Sequence, residues 1–333
     1  MIEPSAAQPH APGASDANWV ASVPNFAEGR DRLVVHAILA AMQLPGVLLL
    51  DYLLDAGRNR SVITIAGPST AVWEAVVRAA GVATDRIDLT RQVGSHPRIG
   101  ATDVIPFVPV GAVALLPCVL LAREAAAALW QRYHVPAYLY EAAASRPDRV
   151  LLEDVRRGQF EGLREAVLRD PGRRPDVGGP GLHPSAGATA VGARRALIEY
   201  NIALDTADLA PARAIAKAVR GQSSGLGVRA LALLSEGRAQ VTLGIPDHRQ
   251  SSVGVVHAAV EEAARKHRTS ILFGEIIGLL PEAAYEESSA WVAGLRGFRA
   301  EEHILERRLK NPLAWPATLL ERDAPLPPET RHP

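Results

Sequence analysis

The sequence predicts an α/β (α+β) protein made of two α/β sandwiches with a cleft between them. Two observations predict it. Strand-like apolar or β-branched runs alternate with helix-like runs along most of the 333 residues. A stretch dense in glycine and proline, 170–193, interrupts that alternation near the middle. Alternation of this kind is what sheet packed against helices requires, and Pro/Gly enrichment marks boundaries between compact units. At 48% hydrophobic and 22% charged, the composition is that of a globular chain.

Taken in order, residues 1–18 are rich in Ala, Pro, Ser and Gly without periodicity and read as a disordered extension. Val47–Leu54 reads as a buried strand and Ser61–Ala66 as a β-branched one. Ala71–Ala80 is helical, with Ser69 or Thr70 as its N-cap. Strand Val104–Val110, helix Leu121–Tyr133 and strand Ala137–Tyr140 follow. The 170–193 stretch reads as a linker between a first unit, 19–193, and a second, 194–320. In the second unit, Ala196–Leu204, Val228–Leu234, Ala239–Leu243 and Ser270–Phe273 are strands. Pro211–Arg220 and Ser252–His267 are its helices. Residues 321–333 form a tail.

Charge and cysteine exclude several classes. Lys plus Arg equals Asp plus Glu, so no global basic footprint for nucleic acid exists. The single cysteine, Cys118, has no partner for an internal disulfide, and its apolar setting predicts a buried, inert thiol. No uninterrupted apolar run reaches the ~18 residues of a membrane span; Val104–Ala122 comes nearest and is broken by Pro106, Pro109 and Pro117. No basic segment followed by an apolar core opens the chain, so the expectation is a cytoplasmic protein. His36, His134, His248, His257, His267 and His303 are scattered, without HExxH or CxxC spacing, and no metal is expected. Neither a GxxxxGK[ST] loop nor a GxSxG elbow is present.

The chemistry concentrates in the run Ser95-His96-Pro97-Arg98-Ile99-Gly100-Ala101-Thr102-Asp103 and the strand after it. Pro97 disfavours helix at His96, and Gly100 permits a turn or a close approach. The run reads as a loop that presents a proton-transfer group and a cation and then enters a buried strand. Elsewhere, Asp55 ends an apolar run before Ala56-Gly57, where it either orients an imidazole or caps the turn. Arg60 and Arg98 suit a bidentate grip on carboxylates, or a structural ion pair. Asp103 is equally a partner for Arg98 or a member of the site. Asn25, Phe26 and Glu28 form a polar cluster that either bonds a heterocycle edge or caps the next helix.

The motif HPRIGATDVIPFVPV resembles the signature of the glutamate formimidoyltransferase family. The resemblance extends, in order, through VPNFAEGRD (23–31), Asp55-Ala56-Gly57 with Asn59-Arg60-Ser61-Val62, VPAYLY (135–140), PDVGGPGLHPSAGATAVGAR (175–194) and Glu275–Pro281. These blocks cover roughly 20–320. The resemblance implies two α/β subdomains, a homodimer, and transfer of a formimino group from N-formimidoyl-L-glutamate to N5 of tetrahydrofolate in histidine breakdown. It implies that His96 is the catalytic histidine and that Asp55 lies beside it. Arg60, Arg98, Asn25, Glu28 and Asp103 then bind or frame the substrates. Gly178-Gly179-Pro180-Gly181-Leu182-His183-Pro184-Ser185-Ala186-Gly187 matches the folate-binding stretch. The fused cyclodeaminase found in animals has no counterpart here, so the resemblance is to the stand-alone transferase.

Four departures from the family pattern keep open an alternative, a folate-binding homologue with another donor or none. The spacer between Asp55-Ala56-Gly57 and Asn59 is short. A glycine of the family is Glu141, an asparagine of its Asn-x-Asn strand is Ala203, and another asparagine is Gly244.

Overall fold

The computed structural model describes residues 19–317, apart from 95, 112, 222, 223 and 236. The extension expected at 1–18 and the tail expected at 321–333 lie outside the described residues. The chain divides into two compact units, the first ending at Arg194 and regaining the chain from Leu313, the second spanning Arg195–Pro312.

In the first unit the elements run β1 (Trp19–Ser22), β2 (Asn25–Phe26), α1 (Arg32–Met42), β3 (Leu48–Asp55), β4 (Arg60–Pro68) and α2 (Ser69–Arg86). They continue with β5 (Thr102–Pro109), α3 (Leu115–Tyr133), β6 (Ala137–Glu141), α4 (Leu152–Val155), α5 (Gln159–Arg169) and β7 (Thr189–Ala193). One mixed sheet holds all seven strands. β3 pairs β4 at one edge; β1 and β2 lie one after the other between β4 and β5, antiparallel to both. β5, β7 and β6 then run parallel in that order. A parallel stretch of this kind is stable only when both faces are covered. Here Ile38, Val76, Phe107 and Leu129 share one apolar cluster, while Val104, Tyr138, Tyr140, Leu163 and Val167 form another.

Three expectations change. The 170–193 stretch is not a linker, because β7 sits in the sheet between β5 and β6 with every residue buried. Its glycine serves packing: a Cβ on Gly192 would come 2.5 Å from the Tyr140 ring. Neither Ser69 nor Thr70 caps α2, which begins at Ser69 after Pro68 with no side-chain cap. Helix α3 starts earlier than expected, at Leu115, because Pro117 falls in its first turn, where a missing N–H costs nothing. Cys118 is fully buried, and burial pushes its thiol up to about 12. Leu313 N donates to Leu49 O at 2.8 Å and ties the returning chain to β3.

The second unit contains β8 (Ile198–Leu204), α6 (Leu209–Val219), β9 (Arg229–Ser235), β10 (Arg238–Ile245), α7 (Val253–Lys266) and β11 (Ile271–Ile277). It ends with α8 (Glu282–Val292), α9 (Ala300–His303) and α10 (Leu305–Lys310). Its four strands are antiparallel in the order β11-β8-β10-β9. Alternation puts Tyr200, Ile202, Val241 and Leu243 into a core with Ile215, Val256 and Val260. Ser252 caps α7 through a bond from Val255 N at 3.4 Å.

Candidate active site

The first unit's sheet brings two loops together. Phe26 pairs with both Ser61 and Thr102, so the beginnings of β4 and β5 lie on either side of β2. The register then slips: Asn25 faces Val104 and Phe26 faces Thr102, which leaves Asp103 as the extra residue of a bulge. Bulges re-aim a side chain next to functional sites. This one turns the fully buried Asp103 carboxylate toward two arginines.

Arg60, the first residue of β4, is the hub. Its Nη1 lies 2.9 Å from Nδ1 of His96 and donates at 3.0 Å to Oδ2 of Asp103. Its Nη2 donates to Oδ1 of Asn25, whose own amide is held by Val23 O at 2.7 Å. Asp103 Oδ2 also accepts from Nη2 of Arg156, and Oδ1 accepts from Ile99 N at 2.9 Å. Arg156 follows α4 and was not singled out from sequence; no motif or spacing marks it. Asp103 therefore pairs with Arg60 and Arg156, not with Arg98.

His96 Nδ1 is also 2.7 Å from the carbonyl of Pro97. Its two neighbours serve opposite tautomers. A protonated Nδ1 donates to Pro97 O and leaves Nε2 basic; a bare Nδ1 accepts from Arg60. Burial lowers the imidazole from its ordinary value near 6.5 to about 4, and Arg60 and Arg156 push the same way against Asp103 and the Pro97 carbonyl. The ring is thus neutral at physiological pH. Burial alone would raise Asp103, but Arg156, Arg60 and the Ile99 N–H hold it below the usual carboxylate range.

The other sequence candidates frame this network. Asp55 accepts from Arg58 N at 2.7 Å and Arg58 Nη1 at 2.6 Å, closing the β3–β4 turn. Glu28 Oε1 accepts from the backbone N–H groups of Gly29, Arg30 and Asp31 at 2.9, 2.7 and 2.9 Å. Asp31, rather than Asn25 or Glu28, caps α1. A Cβ on Gly29 would meet Arg60 O at 2.4 Å and Asp55 O at 2.6 Å, so glycine lets this loop press on the turn that carries Arg60. Arg98 is buried and forks onto Glu161 at 2.8 and 3.1 Å, with Nε on Gln92 Oε1 at 3.0 Å.

The glycine-rich segment meets the histidine loop at one end. Gly187 bridges Gly100 and His183, and Ala101 N donates to Ala186 O at 2.8 Å. A Cβ on Gly187, at φ 72°, would come 2.1 Å from Ile99 O. Residues Gly179–Pro184 line a depression of about 370 Å³ with Trp130 and His134; His96, Asp55 and Arg60 do not line it. Gly178 lies against the Trp130 ring, which a Cβ would approach to 2.4 Å. Where the family pattern has glycine, Glu141 keeps a left-handed φ of 52°.

Among the described residues, no group of three His, Cys, Asp or Glu is placed to hold a metal, and no helix is long and apolar enough to cross a membrane. The fold is α/β, and the site sets a neutral histidine beside Arg60, which shares the Asp103 carboxylate with Arg156. The formiminotransferase domain, N-terminal subdomain, matches residues 19–194. A glutamate formimidoyltransferase from Streptococcus pyogenes serotype M1 is 37% identical over 88% of this chain and 99% of its own length. One from Thermoplasma acidophilum is 36% identical over 87% and 97%. The formimidoyltransferase-cyclodeaminase of Mus musculus is 36% identical over 82% of this chain and 52% of its own. The chain belongs to the glutamate formimidoyltransferase family.

Proposed function

We propose that this chain is a glutamate formimidoyltransferase: it moves the formimino group of N-formimidoyl-L-glutamate to N5 of tetrahydrofolate, a one-carbon step of histidine degradation. The observation that carries the reading is the neutral His96 imidazole beside Arg60 in the HPR loop. N5 attacks the formimidoyl carbon and a tetrahedral intermediate forms. His96, free of a proton, takes the one that N5 releases. The same imidazolium then protonates the departing glutamate nitrogen as the C–N bond breaks, which returns His96 to its free base. Arg60 orients the ring, and Asn25 and Asp103 hold Arg60.

The remaining candidates take supporting roles. Asp55 and Glu28 shape the loops around Arg60. Arg98 anchors the histidine loop to α5 through Glu161, in place of the carboxylate grip expected from sequence. The segment Gly178–Gly187 holds tetrahydrofolate as co-substrate. What supports this is its pairing with Gly100, next to the His96 loop, and the open space at Gly181, where a Cβ would meet nothing within 4 Å. The reading extends to a cytoplasmic homodimer; sedimentation reads the oligomer.

The test is direct. Purified protein with tetrahydrofolate and formiminoglutamate should yield a 5,10-methenyl chromophore after acid treatment. Folate binding without that product would replace this reading with the binding-only homologue.

A further inference from the structure

Arg156 enters the site from outside every motif that the sequence offered. Its side chain is 14% exposed and reaches the fully buried Asp103 from the end of α4. Arg60 binds the same oxygen, Asp103 Oδ2, from β4 at 3.0 Å. One carboxylate thus lies between two guanidiniums. The partners of the carboxylate are the two guanidiniums and Ile99 N, while His96 Nδ1 lies against the Arg60 cation and the Pro97 carbonyl. The charged groups that face His96 are Arg60 from β4, Arg156 from α4 and Asp103 from β5. Two positive charges and one negative leave a net positive charge beside the ring.

We propose that Arg156 is a positioning residue of this site: by sharing Asp103 with Arg60 it keeps the charge facing His96 positive, holds the carboxylate off the imidazole and leaves the ring in its free-base form. A site with Arg60 and Asp103 alone would be neutral overall. Asp103 would then favour the imidazolium, as a carboxylate beside a histidine does. Arg156 therefore acts through His96 and touches no reacting atom. The inference rests on His96 being the proton acceptor of the transfer reaction.

The test uses the charge count. In Arg156→Met the net charge facing His96 falls from positive to zero. In the double variant Arg156→Met/Asp103→Asn it returns to positive, and Arg156→Lys keeps it throughout. The His96 ring is titrated by NMR in the full chain, its resonance assigned by loss in His96→Gln. The acid limb of kcat/KM is measured in parallel. Arg156→Met should raise the titration midpoint by roughly one pH unit or more. The double variant and Arg156→Lys should bring it back toward the wild-type value. Activity of Arg156→Met relative to wild type should be lower at pH 5 than at pH 8. An unchanged midpoint in folded Arg156→Met would overturn the proposal, as would a midpoint that stays high in the double variant. If Arg156→Met does not fold, Arg156→Gln carries the same loss of charge and must show the same raised midpoint. The NMR readout needs no turnover, so a failed transferase assay with the expected midpoints would sink the reaction and not the electrostatic role.

Discussion

Arg60 Nη1 lies 2.9 Å from His96 Nδ1 and places a cation where a catalytic imidazole more often meets a carboxylate. Burial first, and then the Arg60 and Arg156 cations, make this a histidine that resists protonation. An acceptor for the N5 proton must be empty when the amine attacks, and a neighbouring guanidinium favours the empty state.

Replacing His96 with Asn should lower kcat by about 10²–10⁴, the usual loss when acid–base help is removed. Circular dichroism and thermal melting should stay near wild type, because among the described residues the ring bonds Arg60 and Pro97 O. Steady-state kinetics with both substrates varied is the check.

The pH dependence follows from the lowered value. His96 titrates near 6.5 when unfolded and at about 4 when folded. Between these values the unfolded chain takes up a proton that the folded one refuses. The stability that His96 contributes is therefore complete above about 6.5, lost as pH falls toward 4, and changes no further below that. The acid limb of kcat/KM assigned to His96 should likewise lie near 4. Urea unfolding from pH 7.5 to 4, wild type against His96→Gln, isolates the effect; a wild-type slope identical to that of the variant excludes it.

Gly29→Ala should disturb site and stability together. The added methyl would lie 2.4 Å from Arg60 O and 2.6 Å from Asp55 O, both backbone atoms that cannot rotate away. We expect a loss of about 2–3 kcal/mol and at least a tenfold drop in kcat/KM as Arg60 shifts. Chemical denaturation and kinetics measure the two.

Arg98→Met should act on stability more than on substrate affinity. The arginine loses a buried fork onto Glu161 and a bond to Gln92, while Glu161 keeps access to solvent. A cost of about 1–2 kcal/mol is expected, with KM for formiminoglutamate within about twofold. A tenfold rise in KM at unchanged stability would return Arg98 to the substrate.

The site was legible where function is carried by local sequence. Proline after His96, glycine before the strand and the turn at Asp55 are written in neighbouring residues, and the structure places them in loops at the ends of β3, β4 and β5. Arg98 stayed open between a carboxylate grip and a structural ion pair because the two have the same sequence signature; the fold supplies Glu161, 63 residues away, as a partner. Glycine density at 170–193 was misread for a related reason. Glycine marks both flexible chain and tight packing, and Gly192 against Tyr140 is the second.

By itself the sequence determined the elements that periodicity and turn chemistry encode: the alternating strands and helices, the buried cysteine, and a histidine presented by a proline-flanked loop. Tertiary structure decided which charges meet. Arg156 reaches Asp103 across 53 residues, and Arg60 reaches it across 43. The reason is physical. Periodicity is a property of neighbouring side chains, whereas the protonation of the His96 ring depends first on its burial and then on the summed charge around it. That sum exists only after sheet register, a one-residue bulge at Asp103 and the packing of α4 have brought distant residues to the same atom.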